Sequence, residues 1–139
     1  MEYRQFNSKI VLRLDKGDEI ISSIKSLCKD KGISLASVSG IGAVNKANIG
    51  FFEQDAKVYH TRELTGDMEI ASLLGNISEM GGEVYLHLHV TLTNSNFQAY
   101  GGHLNGAWVG PTVEIMIDII DGKIDRVKSE EVGLNTIKF

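Results

Sequence analysis

Eleven consecutive residues, Glu83 to Thr93, alternate strictly between apolar and polar side chains. Val84, Leu86, Leu88, Val90 and Leu92 take the even positions, and Glu83, Tyr85, His87, His89, Thr91 and Thr93 the odd ones. A period of two over this length specifies a strand with one face turned to a core. His87 and His89 then share the polar face, roughly 7 Å apart along the strand. Asn94-Ser95-Asn96 has turn composition, and Phe97 to His103 reads as the returning strand of a hairpin. A three-residue loop sets Thr93 opposite Phe97, His103 opposite His87 and Gly101 opposite His89, with room above His89. Cross-strand partners share a face with Cβ atoms about 5 Å apart, so three imidazoles converge on one spot. A two-residue loop would reverse the parity and turn His103 away.

Three clustered imidazoles are the donor set of an open zinc site. Neutral nitrogen suits this borderline-soft ion, and a fourth position stays free for water or substrate. The plainer reading, polar-face histidines that only hydrogen-bond, is the better one for any single histidine but not for His-x-His with a third across a hairpin. His60 has no partner in sequence and is assigned to the surface. Glu114 and Asp118 fall on the polar side of another alternating run, and Glu69 holds a similar place in Met68 to Leu73. Glu114 and Glu69 are the candidate catalytic carboxylates, as general base or as acceptors behind the ligands; solvated strand carboxylates are the plainer reading of each. Ser39-Gly40-Ile41-Gly42 begins like a dinucleotide loop. It lacks the third glycine and a following helix, so a bulge or tight turn is expected there.

One segment is clearly helical. From Asp18 to Lys31, apolar residues fall at Ile20, Ile21, Ile24, Leu27 and Cys28, one face of an amphipathic helix. Gly17-Asp18 supplies the turn and N-cap, and Gly32 the stop. Cys28 lies on the apolar face and reads as a buried structural thiol. Strands are expected at 8–14, 33–44, 47–53, 57–64, 68–77, 83–93, 97–103, 109–120 and 123–128, and the N-terminal segment is strand-like throughout. The 139 residues, without repeat or linker, make one domain from end to end. The class is α+β: a bent or barrel-like, mostly antiparallel sheet with one main helix at about 18–31.

Charge limits the partners. The formal net charge is −4, and no Lys or Arg occurs between Glu63 and Gly122. The same stretch holds Glu63, Asp67, Glu69, Glu79, Glu83, Glu114, Asp118 and Asp121. An acidic half of this kind repels phosphates and attracts cations. DNA binding is therefore expected to be weak and nonspecific, unless assembly gathers Arg4, Lys9, Arg13, Arg126 and Lys128 into one patch. A single cysteine excludes a disulfide framework and fits a reducing, cytoplasmic setting. No apolar run approaches the roughly 20 residues that span a bilayer, and the charged N-terminal residues do not read as a signal peptide.

Ser39-Gly40-Ile41-Gly42, Glu69 to Ile77, His87-Leu88-His89, Gly101-Gly102-His103-Leu104 and Thr112-Val113-Glu114 together resemble the PPC domain, "plants and prokaryotes conserved", in its stand-alone prokaryotic form. The resemblance spans nearly the whole chain, and its specific part is His-x-His with Gly-Gly-His-Leu. It implies an α+β homotrimer with zinc on His87, His89 and His103. The fold is also similar, more remotely, to that of acetolactate decarboxylase, a zinc enzyme. Members of the family are often labelled DNA-binding; in plants an Arg-Gly-Arg-Pro AT-hook precedes the domain, and this sequence has none. The leading expectation is a zinc-bearing trimer that binds, and as a zinc-dependent lyase or hydrolase transforms, a small oxygen-bearing molecule. The alternatives are a DNA-associated regulatory module and an oligomerisation and partner-binding domain.

Overall fold

The chain runs β1 (Glu2–Phe6), β2 (Lys9–Asp15), α1 (Ile20–Lys31), β3 (Ala36–Glu53), β4 (Val58–Met80), β5 (Glu83–Thr93), β6 (Ala99–Ile119), β7 (Asp125–Lys128) and β8 (Asn135–Lys138). This is a computed structural model, and it describes residues 1–139. The strand-rich α+β class expected from the sequence is the one found.

The strands form a single sheet in the order β1-β2-β6-β3-β4-β7-β8, with β5 bridging β4 and β6. That bridge closes β3, β4, β5 and β6 into a ring. β6 contributes its first residues, Ala99 to His103, to β5, and pairs with β3 from His103 to Ile119. Every pairing is antiparallel except the single Glu79–Asp125 rung between β4 and β7.

Three pairs of expected strands prove to be three long ones. The expected segments 33–44 and 47–53 fall together in β3, 57–64 and 68–77 in β4, and 97–103 and 109–120 in β6, except at the outer ends, where 33–35, 57, 97–98 and 120 lie outside the strands. The glycine and polar residues between them mark register shifts, at Gly40/Gly42 and Val44/Lys46 against β4 and at Asn48/Ile49 against β6. A bulge bends and twists a strand without ending it, which lets long strands wrap into a ring. Gly42 occupies one such bend at φ 140°, where a Cβ would lie 2.5 Å from the Thr112 carbonyl oxygen. The bulge expected at Ser39 to Gly42 is thus present. β8 was not expected, since Asn135 to Lys138 carries no strong period.

The alternation in β5 buries Leu86, Leu88, Val90 and Leu92 in one core with Ile10, Leu12, Leu14, Val113, Ile115 and Ile117. α1 packs on β5 and β6 and adds Ile20, Ile24, Leu27 and Cys28, each aliphatic side chain contributing about 1.5–3 kcal/mol. Burial pushes the Cys28 thiol up to about 11, so it is an inert core group. The helix ends at Gly32, in the left-handed conformation, as expected. Its N-cap is Glu19 rather than Asp18. Glu19 accepts from Ile21 N (3.0 Å) and Ser22 N (2.7 Å), and also from Ala107 N in β6 (3.1 Å). Asp18 is engaged elsewhere, accepting from Asp15 N and pairing with the terminal amine. One carboxylate therefore caps the helix and ties it to the sheet. Replacement of Glu19 by Ala is expected to cost about 1–2 kcal/mol, read as a lower urea midpoint with unchanged m-value.

Candidate metal centre

His87, His89 and His103 converge, but in a different register from the expected one. The loop holds five residues, 94–98, and the β5–β6 ladder starts at Thr93–Ala99. His103 therefore lies opposite His89, not His87, and Gly101 opposite Thr91. Both loop lengths are odd, so the parity survives and His103 keeps the face of the other two. The physical source of the longer loop is Asn94. Its side-chain oxygen accepts from the backbone N–H groups of Asn96 and Gln98, and its backbone bonds to both Phe97 and Gln98. This holds Phe97 at φ 59° outside the ladder.

The three ring centroids form a near-equilateral triangle of 5.2, 5.3 and 5.6 Å. One nitrogen from each ring comes within 4.8 Å of the others. Each histidine has a distinct neighbour across the ring of strands. His87 is paired with Asn76, His89 with Leu74, and His103 with Gly50 of β3 on its second side. At that last rung two glycines let the strands approach: a Cβ on Gly102 would lie 2.6 Å from Gly50 O. A Cβ on Gly50 would overlap the Tyr59 hydroxyl. Tyr59 consequently crosses over β3, stands edge-on to His103 at 6.2 Å and donates to Asn105 Oδ1 at 2.8 Å.

Above the triangle is a cavity of about 590 Å³. Its apolar wall is Phe51, Phe52 and Leu134, and its polar wall includes Tyr59, Tyr85, Asn105 and Asn135. No Asp, Glu, Lys or Arg lines it. Glu114 borders a different depression, beside Ile41, Leu74 and Met116, and Glu69 another, beside Phe97 and Pro111. The structure therefore brings the three histidines together and leaves both candidate carboxylates outside. His60 is at the surface as expected, bonded to Glu53 at 2.9 Å and stacked on Phe51.

The residues missed in the sequence stand behind His87. Arg126 of β7 is 6% exposed. Its Nε donates to Ser78 Oγ (2.8 Å), Nη1 to Asn135 O (3.0 Å) and Nη2 to Asn76 Oδ1 (2.9 Å), with His87 Nδ1 3.5 Å from Nη2. The guanidinium also lies 4.9 Å over the Tyr85 ring. Tyr85 was legible, two residues before His87 on the same face. Arg126 was not, because it arrives through the one parallel rung. Burial first, and then the Arg126 charge, hold His87 below the usual histidine range. Burial, and then the two other histidines, bring His103 down to about 4. Both imidazoles are thus neutral at pH 7, the form that donates to a metal. No protein group takes a ring nitrogen of His89 or His103, while His60 and His87 are engaged. The His103 ring, half-buried, neutral and without a protein partner, fits a borderline-soft divalent ion well, and His89 adds a second ring with no protein partner.

The chain belongs to a family known by its conserved domain: the Plants and Prokaryotes Conserved (PCC) domain matches residues 1–121. Solved structures agree. A protein from Bacteroides thetaiotaomicron, described as a "putative dna binding protein", is 34% identical with a TM-score of 0.96, over 99% of this chain and 96% of that one. A metal-containing protein from Archaeoglobus fulgidus is 35% identical with a TM-score of 0.88, over 97% and 95%. A plant- and prokaryote-conserved protein from Pyrococcus horikoshii is 31% identical with a TM-score of 0.86, over 99% and 94%. No curated protein matches the sequence. No helix is long and apolar enough to cross a membrane.

The depressed pKa values make metal-free stability depend on pH. Unfolded, His87 and His103 take up protons near 6.5; folded, His103 does so only near 4 and His87 below its usual range. Between those values the unfolded state binds more protons, so stability is complete above about 6.5 and falls as pH drops toward 4. Urea midpoints of the metal-free protein measured across that window are expected to decline, and His103→Gln to flatten the decline.

Proposed function

We propose that the protein is a homotrimer whose subunits each hold zinc on His87, His89 and His103 and bind a small oxygen-bearing molecule in the cavity above. The observation that carries this reading is the triangle of three converging imidazoles on the floor of that cavity, two of which, His89 and His103, have no protein hydrogen-bond partner. The resemblance to a metal-containing relative supports it. Three nitrogen donors leave an open position, where zinc supplies Lewis acidity toward a carbonyl or a bound water. The chain's own part is to hold the rings in place, wall the cavity with Phe51, Phe52 and Leu134, and offer Tyr85 and Asn135 as polar contacts. A proton-carrying role for Glu69 or Glu114 needs another subunit to bring the carboxylate to the cavity, and is proposed only for the assembled protein.

Elemental analysis of protein purified without a histidine tag is expected to give about one zinc per chain. Alanine at His87, His89 or His103 is expected to lower affinity about tenfold or more, with His60→Ala as an unaffected control. Full zinc retention by His103→Ala would remove the site.

Self-association is supported by exposed apolar side chains along one cross-strand row of the outer sheet face. Val11, Met116, Ser39, Leu74 and His89 are successive cross-strand partners. Leu74 and Met116, with Ile41 beside them, are 57%, 51% and 59% exposed. Contiguous apolar surface of this kind is where partners dock. Light scattering is expected to report a trimer, and Leu74→Glu to shift the mass downward; a monomer at micromolar concentration would remove the proposal.

The second reading, DNA association, is favoured by the description of the Bacteroides relative. The charge arrangement weighs against it. Of the candidate patch, Arg126 is buried, and Lys9, Arg13 and Lys128 face Asp118, Asp15 and Glu130. Titration of an AT-rich duplex is expected to give affinities on the order of 10 μM or weaker at physiological salt. Nanomolar binding with a steep salt slope would make DNA the primary partner.

A further inference from the structure

We infer that the molecule taken by the cavity is a small organic carboxylate, and that Arg126 is the positioning residue that sets this preference; the inference rests on the metal reading above. Arg126 is a buried cation whose hydrogen-bond partners, Ser78, Asn76, Asn135 and His87, are all neutral. A buried charge is ordinarily retained beside an opposite one, because desolvation without compensation is costly. Here the nearest functional group is itself the three-histidine floor. Loading a dication onto the three imidazoles adds positive charge to the same region. Most zinc-binding histidines donate their second ring N–H to a carboxylate or a carbonyl; the guanidinium 3.5 Å from His87 Nδ1 is donor-only and cannot accept such a proton. The cavity lining contains no Asp or Glu to balance either cation. Within one chain, negative charge at the floor can then come only from the bound molecule.

The walls narrow the class. Tyr85 accepts from Asn135 Nδ2 at 3.3 Å, and its own proton is bonded to no protein group. It is a neutral donor at the cavity surface. Asn135, whose carbonyl is fixed by Arg126, lines the same wall. Phe51, Phe52 and Leu134 form apolar surface suited to carbon rather than to water. An inorganic oxyanion would use the charge and waste the apolar wall. A neutral carbonyl compound would use the wall and leave the charge unanswered. A small carboxylate satisfies both.

The test uses the full-length protein loaded with cobalt(II), whose visible spectrum reports both occupancy and changes at the open position. Glycolate, its neutral amide glycolamide, and inorganic phosphate are titrated separately. Glycolate is expected to perturb the spectrum and to bind roughly tenfold or more tightly than glycolamide. Arg126→Gln is expected to abolish that preference, and its cobalt stoichiometry, measured alongside, separates lost selectivity from a lost metal site. If Arg126→Gln does not fold, Tyr85→Phe and the glycolate-to-glycolamide ratio of the unaltered protein still decide the matter. Tyr85→Phe is expected to weaken glycolate several-fold. A cobalt-loaded protein that binds glycolate and glycolamide equally would overturn the inference and leave the metal site standing. Tighter binding of phosphate than of glycolate would overturn the carboxylate class. Failure to take up cobalt would overturn the metal reading, and this inference with it.

Discussion

The close approach of β3 and β6 at Gly50 and Gly102 is the constraint on which the rest of the molecule depends. Only there does one strand, β6, pass from pairing with β5 to pairing with β3, and His103 sits at that passage with His89 on one side and Gly50 on the other. A side chain at Gly102 would meet backbone, which cannot swing aside, at 2.6 Å. Overpacking of this kind typically costs about 1–3 kcal/mol. Here it would also part the strands that close the ring. The closing of the sheet and the meeting of the three histidines are therefore one event, and neither is available to an open sheet with the same strands.

Around that closure the polar groups are arranged in depth. The imidazoles come from β5 and β6, Asn76 stands directly across from His87 on β4, and Arg126 is held behind both by Ser78 and Asn135. Each layer fixes the one in front. The cost of placing a guanidinium there is offset by five neutral contacts, four of them hydrogen-bonding groups and one the Tyr85 ring. Such a network favours neutral histidines without relying on a carboxylate to orient them, which distinguishes this floor from the usual imidazole–carboxylate pair.

Much of this was legible in the residues, and the parts that were not share a cause. The strict alternation of β5 gave its bounds, its core face and the placement of His87 and His89. Parity carried His103 to the correct face although the loop has five residues rather than three, because side-chain direction depends only on whether that number is odd. The register itself was decided by Asn94, whose side chain gathers two backbone N–H groups, a local contact that composition does not reveal. Long strands were read as shorter ones because a bulge and a turn use the same glycine and asparagine vocabulary. The N-cap was placed one residue early, since Glu19 is chosen by its reach to Ala107 and not by intrinsic capping preference. Arg126 was out of reach entirely: its role comes from one parallel rung between Glu79 and Asp125, far apart in sequence. Local pattern reports faces; only closure reports neighbours.

The parallel rung has a further meaning when set beside the extent of the family match. Residues 1–121 carry all three histidines and the strands that close the ring. Residues beyond 121 bring in Arg126, Leu134 and Asn135, which touch the floor and complete one wall. The three imidazoles and one wall of the cavity above them thus lie on separate stretches of the chain, joined by the bonds of Arg126 to Asn76 and Ser78 and by the single rung at Glu79. A change confined to the last hairpin would reach the charge behind the floor and the shape of the mouth first, and the imidazoles only through them.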